Sequence, residues 1–450
     1  MNCQGNALKT DLYELTMAAG YFQNNMADIK AVFELSCHTM PPNRSYLVSC
    51  GLEQIVEYIL NLKFSEEDIN FIKSIPAFKA VDPSFFEYLK SFKFTGDLWA
   101  MPEGEIFFAG EPVIQVVAPL IEAQILETYL LSVLNVETLV ATKAARVVQA
   151  ACLDGKERSV IDFGSRRAHG PQAGILAARA AYIGGCLGTS NVYAGKHFGI
   201  PLYGTVAHSW IEAFDSEHAA FKAYFDVFPQ NSILLIDTYD TLKAAQEISR
   251  LKFKKDIKGV RIDSGNLKIL SKKVRQLLNK EGLHQVKIIA SGNLNEYKIA
   301  ELVKAKAPID IFGVGTDMVT SRDYPALDLT YKLVEIEDGK GNIRFKAKRS
   351  QGKKTIPARK QIFRKFTKKC KIERDSLGLF SEALDDTIPL LKPVLEAGKL
   401  AQGLPALEEI RKSFKEKVLT LPEACLNTER SHYLKPVLTP RLRQLSNSQG

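Results

Sequence analysis

Beyond about residue 130, short apolar runs alternate with polar or glycine-bearing clusters and then with helical stretches. The runs are SVIDFGSRR (159–167), IPLYGTVAHS (200–209), SILLIDTYDT (232–241), KGVRIDSGN (258–266), VKIIASGN (286–293) and IDIFGVGT (309–316). The last four begin 20 to 30 residues apart, and connecting segments such as KILSKKVRQLLNKEG have the spacing of amphipathic helices. Strand, polar loop and helix repeated at that interval predict a parallel α/β domain. An open doubly wound sheet and a closed barrel share this pattern. An open sheet gathers its ligands at one switch point, whereas here every strand ends in chemically capable side chains, which favours a barrel or part of one.

The flanking segments read differently. Residues 11–22 place Leu12, Leu15, Met17, Ala19 and Phe22 on a helical period, with Thr10 as N-cap. Residues 31–37 and 106–117 read as strands, the second broken by a turn at Gly110 to Pro112, and 52–62 and 83–91 read as helices. After residue 330, YKLVEIEDGKGNIRFKAKRS predicts a hairpin turning at DGKGN; LEEIRKSFKEKVL predicts a helix and RLRQLSNSQG a loose tail. The expected domains are therefore 1–130 (α+β), 131–330 (the α/β domain) and 331–450, packing with the first.

Composition narrows the class. In 450 residues, 46% hydrophobic and 25% charged residues exclude a disordered or collagen-like chain. Seven cysteines without a CxxC pair argue against a disulfide framework or a zinc site and suit a reducing cytosol. The N-terminal segment has no basic region followed by an apolar one, and the most apolar stretch, APLIEAQILETYLLSVLNV, is interrupted by Glu122 and Glu127. A soluble, cytoplasmic protein with no membrane span is expected. The net charge of +9 is local: residues 344–374 hold fourteen Lys/Arg and one acid, a run of +13 that leaves the remainder at −4. This run reads as a solvated hairpin, or else as a cationic segment whose part from Arg359 to Arg364 lies near a phosphate-rich mouth. A nucleic-acid footprint is the alternative from another class, but it explains none of the strand-end motifs.

Those motifs carry the chemistry. In IDFGSRRAHG, Arg166 and Arg167 beside Gly164 and Ser165 can grip a carboxylate or phosphate, or simply form an ion-paired loop. In GVRIDSGN, Arg261 and Asp263 alternate and so face the same way, either toward a ligand or as a structural salt bridge. ASGN and FGVGT set Gly292, Gly313, Gly315 and Thr316 where backbone N–H groups can approach a phosphate. His208, between Thr205 and Ser209 in GTVAHSW, can be a general acid/base, a metal ligand or a nucleophile toward a phosphoryl donor; no second histidine stands at zinc-ligand spacing. Three arginines, two phosphate cradles, Asp237, Asp263 and one histidine suit a phosphoribosyl donor whose leaving group is pyrophosphate, neutralised by magnesium.

As a set, TDLYELTMAAGYF, DFGSRRAHG, GTVAHS, RIDSGN, ASGNLNEYKI, FGVGTDMVTS, YKLVE and KQIFR resemble the nicotinate phosphoribosyltransferase family. The resemblance implies an irregular TIM-like α/β barrel plus an α+β domain built from both chain ends. It implies nicotinate, phosphoribosyl pyrophosphate and ATP as substrates, Mg2+ held mainly by pyrophosphate rather than by protein side chains, phosphorylation of His208, and a homodimer with shared active sites. By the same resemblance Tyr13 of one subunit and Phe163 of the other sandwich the pyridine ring. Arg261 faces the nicotinate carboxylate and Asp263 the ribose. Gly292, with Ser291, belongs to the ribose and phosphate wall, and Gly313, Gly315 and Thr316 hold the 5′-phosphate. Arg166 and Arg167 face pyrophosphate or base, while Thr205 and Ser209 flank the histidine in the substrate site. Ser190 stands where the nicotinamide-using relative carries an aspartate, which favours nicotinate. Nicotinamide- or quinolinate-using enzymes of the same fold are the alternatives.

Overall fold

The structure, a computed structural model, describes residues 6–348 and 355–448; Cys3 and positions 349–354 of the basic run lie outside them. Contacts divide the chain into a continuous unit, Leu139–Pro325, and a discontinuous one formed by Met1–Thr138 with Ala326–Gly450.

The continuous unit holds six parallel strands: β1 (Ser159–Asp162), β2 (Gly188–Thr189), β3 (Ile233–Leu235), β4 (Gly259–Ile262), β5 (Lys287–Ala290) and β6 (Ile311–Val314), in the order β2-β1-β6-β5-β4-β3. The apolar runs form these strands because Val160, Ile161, Leu234, Val260, Ile262, Ile288 and Phe312 are all buried, as expected where both faces of a parallel sheet are covered. The asparagines of the polar loops then start helices. Asn266 caps Leu267–Lys280 (α4) and Asn295 caps Glu296–Lys304 (α5), each accepting a backbone N–H three residues on. Helices α1 (Glu127–Ala151), α2 (Pro171–Ile183), α3 (His208–Glu212) and α6 (Thr316–Val319) complete the set used below.

Two expectations change here. Residues 200–209 form no strand: only Leu202 bridges Thr189, because Pro201 brings no N–H and Gly204 follows two residues later. The parallel α/β expectation is met by a six-stranded sheet, but among the described residues no ladder joins its edges β2 and β3, so it is not a closed hydrogen-bonded barrel.

In the discontinuous unit, strand Lys30–Cys37 pairs antiparallel with Pro112–Pro119 on one side and with Leu329–Glu337 on the other. Both chain ends thus contribute to one seven-stranded sheet. The hairpin forms as expected, Leu329–Glu337 against Ile343–Phe345, with Asp338 Oδ1 accepting the N–H groups of Lys340 and Asn342. Asp11, not Thr10, holds the position before helix Leu12–Gln23, and its side chain makes no capping hydrogen bond; the Thr10 hydroxyl donates instead to the Glu14 carboxylate at 2.6 Å. The tail is not loose: Pro440–Ser448 is helical and buries Leu442.

The cations from 359 to 364 are internal staples, which overturns the idea that they attract ligands. Arg359 lies 3.6 Å from the Phe380 ring centre and donates to Gln115 at 2.6 Å. Buried Lys360 pairs with Glu34 at 2.7 Å, and buried Arg364 binds Asp375 at 2.9 and 2.6 Å and Glu105 at 2.8 Å. Such partners satisfy charges that burial would otherwise make costly. The segment Leu120–Ala151 is long and apolar enough to cross a membrane, despite Glu122 and Glu127, but 61% of its most apolar window is buried within the protein, as in a core helix.

Candidate active site

Each parallel strand delivers its chemistry at its carboxyl end, where the chain leaves the sheet. After β1, Asp162 is fully buried; its Oδ1 accepts the Gly164 N–H at 2.8 Å and its Oδ2 accepts Thr189 Oγ1 at 2.7 Å. Burial pushes this carboxyl above the ordinary aspartate range, against the pull of those two hydrogen bonds. Asp162 therefore ties the ends of β1 and β2 together, and its carbonyl accepts the Ser190 N–H at 2.9 Å. Asn191 Nδ2 donates to Ser165 Oγ at 3.0 Å, closing the same corner. Arg166 and Arg167, in the single turn Ser165–Arg167, are exposed; the Arg167 N–H donates to the Gly164 carbonyl at 2.7 Å, but neither guanidinium makes a hydrogen bond or ion pair with described residues.

The end of β4 is a hub. Arg261 donates through Nε to Ser291 Oγ (2.8 Å), through one terminal nitrogen to Thr205 Oγ1 (2.7 Å) and the Val206 carbonyl (3.1 Å), and through the other to Asp263 Oδ1 (2.6 Å). The Ser291 hydroxyl in turn donates to Asp263 Oδ1. Burial acts to raise the Asp263 carboxyl, but the hydrogen bonds from Ser291 and Arg261, with the charges of Arg261 and nearby His208, outweigh it and hold the group below the ordinary range. Asp237, after β3, accepts the Asp263 N–H at 2.9 Å and the Ser264 hydroxyl at 2.6 Å through Oδ2, while its Oδ1 is buried without a hydrogen-bond partner. His208 opens α3, and its Nδ1 lies 3.1 Å from Thr238 Oγ1.

Two glycines are required by space. Gly292 has φ +91° and packs against the Asp263 carbonyl so closely that any Cβ would overlap it. At Gly313 a Cβ would sit 2.5 Å from Cδ2 of the Phe163 ring. That ring lies 5.8 Å from the Arg261 guanidinium, within cation–π range.

Two adjoining cavities result. One, of about 310 Å3, is lined by Phe163, Ser165, Arg166, Ser190, Thr205, His208, Arg261 and Asp263. The other, of about 210 Å3, shares Phe163, Arg166, Arg261 and Asp263 and adds Arg167, Ser291, Gly292, Gly313, Gly315 and Thr316. The strand-end residues singled out in the sequence thus converge within one unit. Ser209 is exposed on α3 and lines neither cavity. Tyr13 belongs to the discontinuous unit, where it is 44% exposed on helix Leu12–Gln23, its phenol held well above the ordinary range by partial burial and by Glu127 and Glu14. Asp162, Thr189, Asn191 and Thr238 escaped the sequence reading. Each is a polar residue at or just after a strand end, the same signal that marked the others.

Chemically, one chamber has an aromatic wall and a guanidinium beside it, suited to a flat anionic ring. The other has glycine walls and two unpaired arginines, suited to phosphate oxygens. Comparison with known proteins gives the same answer. Residues 8–135 match the family model for the nicotinate phosphoribosyltransferase (NAPRTase) N-terminal domain, and residues 158–375 match the model for the nicotinate phosphoribosyltransferase (NAPRTase) family. The chain is 43% identical over 436 residues to a nicotinate phosphoribosyltransferase of Mycobacterium tuberculosis, covering 96% of this chain and 91% of that one. It is 40% identical over 388 residues to the nicotinate phosphoribosyltransferase of Bacillus subtilis, covering 84% and 77%. The crystal structure of human nicotinic acid phosphoribosyltransferase superposes with a TM-score of 0.83 at 27% identity, covering 98% of this chain and all of that one. With strand-end geometry, family models and near-full-length relatives in agreement, the chain belongs to the nicotinate phosphoribosyltransferase family.

Proposed function

We propose that the chain joins nicotinate to phosphoribosyl pyrophosphate, giving nicotinate mononucleotide and pyrophosphate, the first step in salvaging nicotinate for NAD, with ATP hydrolysis coupled to the reaction. The observation that carries this reading is the pair of adjoining cavities sharing Phe163, Arg261 and Asp263. The Phe163 ring offers a stacking face for pyridine, with the Arg261 guanidinium 5.8 Å from the ring centre to meet the carboxylate. The glycine-walled chamber receives the ribose and its 5′-phosphate at Gly313, Gly315 and Thr316, and Arg166 and Arg167 face the pyrophosphate. Departure of pyrophosphate leaves an oxocarbenium-like ribose carbon, to which the pyridine nitrogen adds. Asp263, ionised because its carboxyl is held low, holds the ribose hydroxyls and opposes that developing positive charge. Orientation of two bound partners supplies most of the remaining acceleration.

Magnesium fits this site as a partner of the pyrophosphate. The Asp263 carboxylate, which lines both cavities, would be the protein oxygen on hand to it, with Asp237 holding Asp263 from behind through the Asp263 backbone N–H. When bound, the ion neutralises leaving-group charge. His208 receives the phosphoryl group from ATP: Thr238 engages Nδ1, which leaves Nε2 as the free ring nitrogen. The exposed Leu12, Tyr13 and Met17 on helix Leu12–Gln23 suit burial against a second copy of the chain, with Tyr13 covering the partner's pyridine ring. We place the enzyme in the cytoplasm.

Product formation from nicotinate and from nicotinamide, each with and without ATP, tests the reading; turnover of nicotinamide alone would refute it. His208→Ala is expected to lose the acid-labile label acquired from [γ-32P]ATP and the stimulation by ATP, while retaining slow turnover. Label persisting in the variant would remove His208 from that role. Ser190→Asp places a carboxylate in the base chamber and is expected to lower the nicotinate-to-nicotinamide ratio of kcat/KM by about a hundredfold. An unchanged ratio would show that Ser190 does not select the base.

A further inference from the structure

Outside the cavities, the continuous unit contains a deeply buried ion cluster that the reaction above does not use. Lys143 and Arg146 stand on α1 within a run that is otherwise almost wholly apolar, LVATKAARVV, and Lys143 is 0% exposed. The Lys143 ammonium lies 2.7 Å from Glu296 Oε2 and 2.8 Å from Asp323 Oδ1. Arg146 Nε donates to the other Glu296 oxygen at 3.1 Å, and both cations lie 5.9 Å from the Tyr297 ring centre. Two cations and two carboxylates balance, and every one of these four groups has an opposite charge beside it. A buried cluster of this kind is weak evidence for stability, since apolar residues of similar volume commonly do as well. Its value lies in fixing one arrangement of the segments it joins.

Those segments are the backs of the two glycine loops. Glu296 is the first residue of α5, which follows the loop Ser291-Gly292-Asn293; its carboxylate also suits the positive end of that helix. Asp323 lies in the turn that follows α6, whose first residue, Thr316, continues the loop from Gly313. A second link runs parallel to the first: Asn295 Nδ2 is 3.4 Å from Asp317 Oδ1, and the Arg322 N–H donates to the Asp317 carbonyl at 3.2 Å. The loops on either side of the smaller cavity are therefore bound together from behind through one ammonium on a helix that touches neither cavity.

We propose that Lys143 is a positioning residue for the phosphoribosyl donor: held between Glu296 and Asp323, it sets the spacing of the loops Ser291–Asn293 and Gly313–Thr316 that grip the ribose phosphate. This rests on the reading of that cavity given above. The nicotinate chamber keeps supports that neither loop supplies, the Asp162 bond from Thr189 and the Arg261 bonds to Thr205 and Val206, so the larger effect falls on the donor. A site held by a locked surrounding shell loses affinity when the shell loosens, even where the contacts themselves survive.

Asp323→Asn removes one leg at a side chain that is 20% exposed, so the variant is expected to fold; Lys143→Met removes the hub. In steady-state kinetics both are expected to raise KM for phosphoribosyl pyrophosphate by about tenfold while KM for nicotinate stays within about twofold of wild type. Calorimetric titration with phosphoribosyl pyrophosphate is expected to show the same tenfold loss, and it reads the loop spacing even if the acceptor base is not nicotinate. Should Lys143→Met fail to fold, Asp323→Asn carries the test. Unchanged donor affinity in folded Asp323→Asn, or equal losses for donor and nicotinate accompanied by a lower melting temperature, would overturn the proposal and leave the cluster a structural element only. A wild type that binds the donor but does not turn over nicotinate would instead refute the proposed function.

Discussion

Replacing Arg261 by alanine is expected to lower kcat/KM for nicotinate by about a thousandfold or more. The guanidinium makes four hydrogen bonds, two to the loop that carries His208, one to Ser291 and one to Asp263, so its loss releases three walls of the site at once. It also removes the main positive charge that holds Asp263 low. With burial then the dominant influence, the Asp263 carboxyl rises and the acid limb of the pH–rate profile moves to higher pH. The sign is opposite in the wild type, where the depressed carboxyl stays ionised until the pH falls below the ordinary aspartate value of about 3.9. Arg261→Lys restores charge but not the fork that reaches Ser291, Thr205 and Asp263 together, so recovery is expected to be partial. Steady-state kinetics from pH 4 to 9 check both points. An alanine variant within about threefold of wild type would mean that Arg261 is a structural salt bridge and nothing more.

The second large effect is on the fold. Gly292→Ala is expected to cost about 3 kcal/mol or more, because it forces a side chain into the left-handed region and its Cβ into the Asp263 carbonyl, a backbone atom that cannot swing aside. Gly282 is the internal control. Its φ is +72°, yet nothing lies within 4 Å of its Cβ position, so Gly282→Ala carries only the conformational cost of about 1 kcal/mol. Thermal melts of the two variants should differ several-fold in the fall of the unfolding temperature. Equal falls would show that the Gly292 loop yields, contrary to the close packing of β4 and β5 ends.

The parallel unit was legible because its two signals are local. Buried strands read as apolar runs, and the residues at or just after their ends are those on which chemistry depends; Arg261, Asp263, Gly292 and Gly313 stand out this way. What escaped depends on geometry that no local pattern records. Residues 200–209 are apolar enough for a strand, but whether Pro201 and Gly204 leave room for a ladder is decided by the neighbour at Thr189. The cations Arg359, Lys360 and Arg364 look like a ligand-attracting run, yet their partners Gln115, Glu34 and Glu105 come from far along the chain, and only Asp375 is a near neighbour in sequence. Lys143 did leave a trace, a charge inside an apolar helical run, which usually means that a partner is waiting in the core. Its partners, again, lie more than a hundred positions away.

The pairing of Lys30–Cys37 with Leu329–Glu337 has a consequence for the order of events during synthesis. The early strand gains one neighbour, Pro112–Pro119, soon after it is made, but its other edge waits for roughly 300 further residues, about 15 to 60 s at ordinary rates of chain elongation. In that interval the intervening segment Leu139–Pro325, continuous in sequence, can collapse on its own contacts. The waiting edge, meanwhile, offers unpaired backbone groups to any other chain in reach. A ribosome that stalls before residue 337 would therefore release an assembled centre attached to an adhesive, half-built sheet, and the yield of native enzyme becomes a race between translation and aggregation.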